Sequence, residues 1–345
     1  MLDERKLRVL HAIINSYISS AEPIGSRTIS KKYDLGVSSA TIRNEMSDLE
    51  DLGYLNKPYT SAGRVPSDKA YRLYVDMLLK DSKTLIDMRK KQEIKKTLLK
   101  EAVEIDSLIE NSTKILSKLT NYTALAIAPQ FERSTLKHIQ LIPIDEYEIL
   151  VVIVSDSGIV KNTIFRIDNQ IPDDQLNIIS NFLNGKLKGL TIEEIGNEID
   201  TVVFKEMYEY KNIIESIIPV INQSLEEVEN VEVFADGVTN IFNFPEYSDV
   251  TKAKAFLSFI EDKNLVVDIM LKNTLDDFEI TIGGENSIDE IKDCSLITAT
   301  YKLDGNTIGK IGVIGPTRMD YFKVINAVNL LAMNLNEIMS KFFSK

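Results

Sequence analysis

Apolar positions at the start of the chain recur at helical spacing, separated by short polar breaks. In DERKLRVLHAIINSYISS, residues 3–20, Leu7, Leu10, Ile14, Tyr17 and Ile18 fall on one face of a first helix. GSRTISKKY, residues 25–33, makes a short second helix that Ser26 can cap, and residues 34–36 supply a turn. VSSATIRNEMSDLEDLG, residues 37–53, predicts a third: Ser38 is a good N-cap and Gly53 suits the left-handed position that ends helices. Within it Ile42, Met46 and Leu49 stand at i, i+4 and i+7 and form one apolar stripe that must face a core. YLNKPYTSAGRVPS, residues 54–67, reads as a hairpin with a loose, basic tip, and Ser67 opens a fourth helix, DKAYRLYVDMLL. Helix, helix, turn, helix and hairpin in this order predict a winged helix-turn-helix in residues 1–80; a small helical domain packed against something else is the plainer alternative.

The pattern then changes. Leu98, Ala102, Ile105, Ile109, Leu116 and Leu119 recur at helical spacing among lysines, with the repeat broken by Gln92 and Lys95. That favours a helical connector over residues 81–104, leading into the next domain, rather than a coiled-coil dimer seam. Strand-like runs follow: YTALAIA (122–128), LKHIQLI (136–142), EILVVIVS (148–155) and IVKNTIFRI (159–167). DFEITIGG, SLITATYKL and TIGKIGVIG add three late strands, and a helix runs from Arg318 to the end. Residues 105–167 and 275–345 therefore read as two halves of one antiparallel-sheet domain, flanked by its first and last helices. Residues 168–274 read as an inserted α/β module. It has helical segments PDDQLNIISNFL, TIEEIGNEI and FKEMYEYKNIIESIIPVINQSLEEV, short strands around VEVFADG and LVVDIML, and a helix KAKAFLSFIED between those strands. In the longest helix Met207, Tyr210, Ile213, Ile214, Ile217, Ile218 and Ile221 make an apolar face wider than a lone surface helix needs, although Pro219 should bend it. Such a face serves either core packing or a two-fold partner surface.

Charge separates a head from a body. The chain has 40 basic and 52 acidic side chains, yet residues 1–80 hold 12 and 10 of them, and the remaining 265 residues hold 28 and 42. A net-positive head on an acidic body is compatible with nucleic acid, because phosphate binding depends on where positive charge sits. Arg27, Lys31, Lys32, Arg43, Lys57, Arg64 and Lys69 can serve a backbone track. No apolar run approaches a membrane span, the amino terminus lacks the order of a signal peptide, and one cysteine, Cys294, excludes an intrachain disulfide framework. These features predict a cytoplasmic protein with no membrane partner.

No catalytic constellation stands out, so the chain is not expected to be an enzyme. GNTIGKIGVIG is one residue short of a P-loop from Gly305, and Ile311 stands where a Mg²⁺-binding hydroxyl is required. Its glycines better suit a tightly packed strand. His11 and His138 lie in no metal-ligand pattern with Cys294. Neither metal nor cofactor is expected.

The candidate chemistry is DNA reading. Opposite the apolar stripe of the third helix lie Ala40, Arg43, Asn44 and Ser47, with Ser38, Ser39 and Thr41 at its N-terminal turn. Small polar groups let a helix approach the floor of a major groove, and an arginine pairs bidentately with guanine. Arg43 is expected to read a base, supported by Ser39, Thr41 and Asn44. On the hairpin, Lys57, Tyr59, Ser61 and Arg64 are expected mainly to fix position on the backbone or in the adjacent minor groove. In GPTRMDY, Arg318, Asp320 and Tyr321 follow a strand end with Thr317 a possible cap; they form either a subunit contact or ligand latch, or a cap plus an internal ion pair.

GSRTISKKYDLGVSSATIRNEMSDLEDLGYLNKPYTSAGRVPSDKAYRLYVD and the late segment IGKIGVIGPTRMDY, in this order and at this separation, resemble the two signatures of the HrcA family of heat-inducible transcription repressors. The resemblance covers nearly the whole chain. It implies an α+β multidomain fold, with a winged helix joined to a GAF-like domain into which a dimerising domain is inserted. It also implies a homodimer that binds double-stranded DNA at a long inverted repeat, the CIRCE operator, upstream of chaperonin and Hsp70-type operons. Heat stress would relieve that binding, and activity would depend on the chaperonin. The competing expectation is a ligand-sensing regulator whose GAF-like body binds a small metabolite.

Overall fold

The computed structural model describes residues 2–59, 62–80, 88–101, 105–128, 135–156, 160–167, 170–191, 194–195, 198, 231–272 and 277–343. Its contacts divide the chain into two units, Met1–Ala128 with Val233–Ser344, and Pro129–Glu232. Antiparallel sheets and helices occur in both, an α+β composition.

The first unit opens with α1 (Glu4–Ser20), α2 (Ser26–Lys32), α3 (Ser39–Asp51), the two-stranded pair β1 (Leu55–Asn56) and β2 (Val65–Pro66), and α4 (Asp68–Lys80). Asp3 caps α1 by accepting from the Lys6 amide at 2.8 Å. The helix buries Val9, Leu10, Ile13 and Ile14, a wider face than the expected stripe; Leu7, Tyr17 and Ile18 are only half-buried. Gly25, not Ser26, holds the N-cap of α2, and Ser26 is already helical. The ends of α3 are those the residues dictate. Ser38 is extended and accepts from the Thr41 amide at 3.1 Å, while Gly53 sits at φ +77°, a conformation costly for any residue with a Cβ. The Gly53 amide then bonds the Glu50 carbonyl and the Tyr54 amide the Leu49 carbonyl, a paired closure of the helix end. Ser67 caps α4 through the Ala70 amide and donates to the Gly53 carbonyl at 2.8 Å, which ties the fourth helix to the end of the third.

The same unit continues with α5 (Met88–Glu101), α6 (Ile105–Thr120), β3 (Thr123–Ile127) and, after residue 232, β7 (Val233–Asp236). It ends with α8 (Val250–Glu261), α9 (Lys263–Leu271), β8 (Phe278–Ile282), β9 (Cys294–Leu303), β10 (Asn306–Pro316) and α10 (Tyr321–Phe343). Its five strands form one antiparallel sheet in the order β7-β3-β10-β9-β8. Helix α10 presents Val324, Val328, Leu331, Leu335 and Ile338 as a fully buried stripe, each side chain contributing about 1.5–3 kcal/mol. The glycines of β10 serve close packing as expected: a Cβ on Gly312 would meet the Ile297 carbonyl oxygen at 2.5 Å.

The second unit holds β4 (Leu136–Pro143), β5 (Glu148–Ser155), β6 (Val160–Arg166) and α7 (Asp173–Leu187), with the sheet in the order β4-β5-β6. Ile139, Leu141, Ile149, Val151 and Ile153 pack on Leu176, Ile179, Leu183 and Leu187 of the helix. The outer edge of β4 is satisfied by side chains of α7: Asn184 accepts from the Ile139 amide at 2.9 Å and donates to its carbonyl, and Ser180 accepts from Leu141 at 3.0 Å. An edge strand so covered cannot recruit a stray strand.

Four expectations change. The strands at 136–166 do not join the sheet of 122–128; they form their own, so the second unit begins at Pro129 rather than residue 168. Residues 233–274 belong to the first unit, because β7 pairs with β3. LVVDIML is helical, not a strand: Asp262 caps α9 through the Asn264 and Leu265 amides, and Val266, Ile269 and Met270 form its buried face. The stretch read as a connector contains α5, which packs on α6 and α10; Ile94 and Leu98 are buried, Lys91 reaches Glu337 at 2.5 Å, and Lys95 reaches it too. The long apolar helix expected at 204–228 lies outside the described residues.

Candidate nucleic-acid interface

Helix α3 buries Ile42, Met46 and Leu49 and turns Ser38, Arg43, Asn44 and Ser47 outward, with Ser39 and Thr41 half-buried at its start. The Ser38 and Thr41 hydroxyls lie 3.0 Å apart, so the first turn presents a paired hydroxyl beside the positive end of the helix. Acidic side chains on α3 would oppose a polyanion, and two of them are tied up by α1. Glu45 is buried against α1, 2.9 Å from Lys6 and 3.6 Å from Arg5, and Asp48 lies 3.0 Å from Lys6. Bonds to Glu45, then to Asp48, hold the Lys6 ammonium above its ordinary range. Lys6 shapes this face without belonging to α3; its signal in the sequence is a cation placed one turn into α1, ahead of a carboxylate-bearing helix.

The hairpin is held close to the helical head. Ile24 and Arg64 exchange both main-chain hydrogen bonds at 2.9 Å. The Arg64 guanidinium donates to Glu50 at 2.7 and 2.5 Å, bracing the hairpin against α3. Lys57 and Tyr59 project from the hairpin into solvent, Tyr59 with 63% of its surface exposed. Ser61 lies outside the described residues. The α2 cations Arg27, Lys31 and Lys32 are exposed. Lys69 is occupied locally: it donates to the Leu52 carbonyl at 2.9 Å and lies over the Tyr54 ring, complementing the negative end of α3.

Other candidate groups have structural work. Cys294 is buried against the Tyr247 hydroxyl at 3.0 Å, and burial pushes its thiol up to about 12, which keeps it protonated. His138 is exposed beside Gln140. In GPTRMDY the helix cap is Asp320, which accepts from the Lys323 amide at 3.1 Å, rather than Thr317. Arg318 is paired internally with Glu246.

Residues 106–325 match the family model described as the HrcA protein C terminal domain. Along the whole chain, a heat-inducible transcription repressor HrcA of Alkaliphilus metalliredigens is 48% identical over 338 residues, 98% of each protein. The chain belongs to the HrcA family. A second HrcA repressor, from Ruminiclostridium cellulolyticum, is 45% identical over 343 residues, 98% of this chain and 97% of that one. A crystal structure of a hypothetical protein shares the fold, with a TM-score of 0.69 over 99% of this chain and 98% of the other at 22% identity. Membership of HrcA makes this chain a transcription repressor of the heat-shock response. Among the described residues no helix is long and apolar enough to cross a membrane.

Proposed function

We propose that the chain is a sequence-specific repressor that binds the CIRCE inverted repeat as a homodimer, upstream of chaperonin and Hsp70-type operons. In this reading residues 1–80 are a winged helix-turn-helix and α3 enters the major groove. The observation that carries it is the outward face of α3: Arg43, Asn44 and Ser47 exposed beside a hydroxyl-bearing first turn, with Glu45 and Asp48 drawn aside by Lys6. Arg43 reads a base, with Ser38, Ser39, Thr41, Asn44 and Ser47 lining the approach. Lys57, Tyr59 and Ser61 meet the backbone or the minor groove from the wing. Arg64 acts chiefly by bracing the wing on Glu50.

The five-stranded sheet with α6 and α10 is the GAF-like domain, and the second unit is the inserted dimerising domain. Support for a self-association surface comes from the face of the second sheet opposite α7. Ile142, Leu150 and Ile164 stand side by side across β4, β5 and β6, and Ile142 and Ile164 are 40% and 60% exposed. An apolar row of this kind in solvent suits a two-fold partner. Heat release with restoration by the chaperonin is the regulation the family implies, acting through local loss of structure.

Binding to operator and random duplex tests the base-reading assignment. Arg43→Ala should lose about 1–3 kcal/mol on operator DNA and relax sequence preference, whereas Lys57→Ala should weaken both duplexes alike. Equal loss on both duplexes for Arg43→Ala would remove Arg43 from base reading. A ligand-sensing reading has one observation in its favour, a cavity of about 140 Å³ lined by Ile269, Glu279, Thr281, Ser287 and Thr298. A rise in thermal midpoint with a small metabolite would support that reading.

A further inference from the structure

The head formed by α1 to α4 is bolted to the sheet of the same unit by three side chains from distant parts of the sequence. On α4, Asp68 accepts from the Gly284 amide at 3.0 Å. One turn later Arg72 donates to the Ile280 carbonyl at 2.7 Å and to Glu285 at 2.8 Å, with a second contact to the same carboxylate. The receiving turn is shaped for Asp68: Gly283 sits at φ +55°, and a Cβ there would fall 2.1 Å from the Asp68 carboxylate. From the other side comes Arg318, whose side chain is 9% exposed. It donates to the Ile18 carbonyl at 3.0 Å and to both carboxylate oxygens of Glu246, and lies over the Phe244 ring at 5.4 Å. Ile18 is in the last turn of α1, where no basic residue of the helix itself complements the negative end; Arg318 supplies that cation from the body. Between the two bolts Tyr71 packs on Tyr321, with ring centroids 5.6 Å apart.

Two rigid contacts on separate helices of the head remove its freedom to swivel, where one would leave a hinge. We infer that Asp68, Arg72 and Arg318 are positioning residues for operator binding: they fix the angle of α3 relative to the body, and through it the separation of the two reading helices in a dimer. This rests on the homodimer and inverted-repeat reading. None of the three needs to touch DNA. Linking two half-site contacts multiplies affinity by about 10²–10⁴ only when the geometry admits both at once. A loosened head keeps its half-site contacts and loses the ability to reject wrong spacings.

The test measures affinity of the full chain for a single half-site duplex and for inverted repeats with spacers lengthened and shortened base pair by base pair. The native chain should show a sharp optimum in spacer length. Arg72→Glu should bind the single half-site as the native chain does, while the advantage of the optimal spacer falls roughly tenfold or more. The exchange Arg72→Glu with Glu285→Arg should restore the optimum, an outcome that a general loss of folding would not give. Asp68→Asn, a milder change, provides a second reading of the same profile with the helix intact. An unchanged spacer optimum in both Arg72→Glu and Asp68→Asn overturns the inference, as does a loss on the half-site as large as that on the repeat. A native chain with no spacer preference would instead overturn the inverted-repeat reading, and the inference would fall with it.

Discussion

Removing the Arg318 guanidinium should cost more than removing the guanidinium together with its counter-ion. In Arg318→Met the Glu246 carboxylate, whose side chain is 29% exposed, loses its bidentate partner, and the Ile18 carbonyl loses its donor. Breaking a fully buried pair from one side costs about 3–5 kcal/mol. Water reaches part of Glu246, which brings the expected loss to about 2–4 kcal/mol. The pieces agree in size: an unsatisfied carbonyl costs about 1–3 kcal/mol, and the lost contact over Phe244 about 0.5–1 kcal/mol. The double variant Arg318→Met with Glu246→Leu leaves no stranded charge and should recover most of the loss, because replacing both members of a pair by apolar groups is often close to neutral. Urea unfolding of the full chain, extrapolated linearly to water, measures all three proteins. A single-variant loss under about 0.5 kcal/mol, or a double variant no better than the single, would refute the view that Arg318 is held by a desolvated pair.

Asn334 on α10 is fully buried, and neither its amide nitrogen nor its oxygen has a hydrogen-bond partner among the described residues. Asn334→Leu should therefore stabilise the first unit by about 1–3 kcal/mol, seen as a higher thermal midpoint; a lower midpoint would count against it. Bonds from Lys91 and Lys95 hold the Glu337 carboxyl down at about 2, against an ordinary 4.5. Its folded pKa is depressed, so its stabilising contribution is complete above about pH 5 and fades as the pH falls towards 2. The stability difference between the native chain and Glu337→Gln should shrink across that window, and a difference independent of pH would remove the ion pairs as its cause. Ile164→Lys, at the β6 end of the exposed apolar row and its most exposed member, should give a monomer in sedimentation with an unchanged half-site affinity. Persistence of a dimer would move the interface elsewhere.

Local chemistry made much of the head legible in the sequence. The Ser38 cap, the glycine closure at Gly53 and the stripe of Ile42, Met46 and Leu49 all act within a few residues, so spacing alone predicts them. Strand existence was equally local, but partnership was not. Nothing within LKHIQLI or EILVVIVS says that they pair with each other and pack on α7 while YTALAIA pairs with a strand nearly two hundred residues later. LVVDIML misled because a short apolar run fits a buried strand or one buried helix face equally well, and the Asp262 cap decided for the helix. At the interface, exposure of Arg43 follows from periodicity. The fates of Arg64, Lys69 and Arg318 depend on which carboxylate or carbonyl the fold brings alongside, and no spacing rule carries that information.

The same joint that orients the head also marks where warming can act. Tyr71, between the two bolts, is 2% exposed, and its hydroxyl has no hydrogen-bond partner among the described residues. A buried polar group in that condition costs about 1–3 kcal/mol, a sizeable fraction of the roughly 5–15 kcal/mol by which a domain is stable at all. The two arginines of the joint lean on Glu285 and Glu246, both still partly reached by water. Helix α3, by contrast, is closed at both ends and clamped to α1 through Lys6. On warming, the elements with the weakest local stability open first, so amides at the joint should lose hydrogen-exchange protection at a lower temperature than those of α3, and simultaneous loss would refute that order. In the proposed homodimer, that order would release the operator by losing the registration of two heads that are still folded.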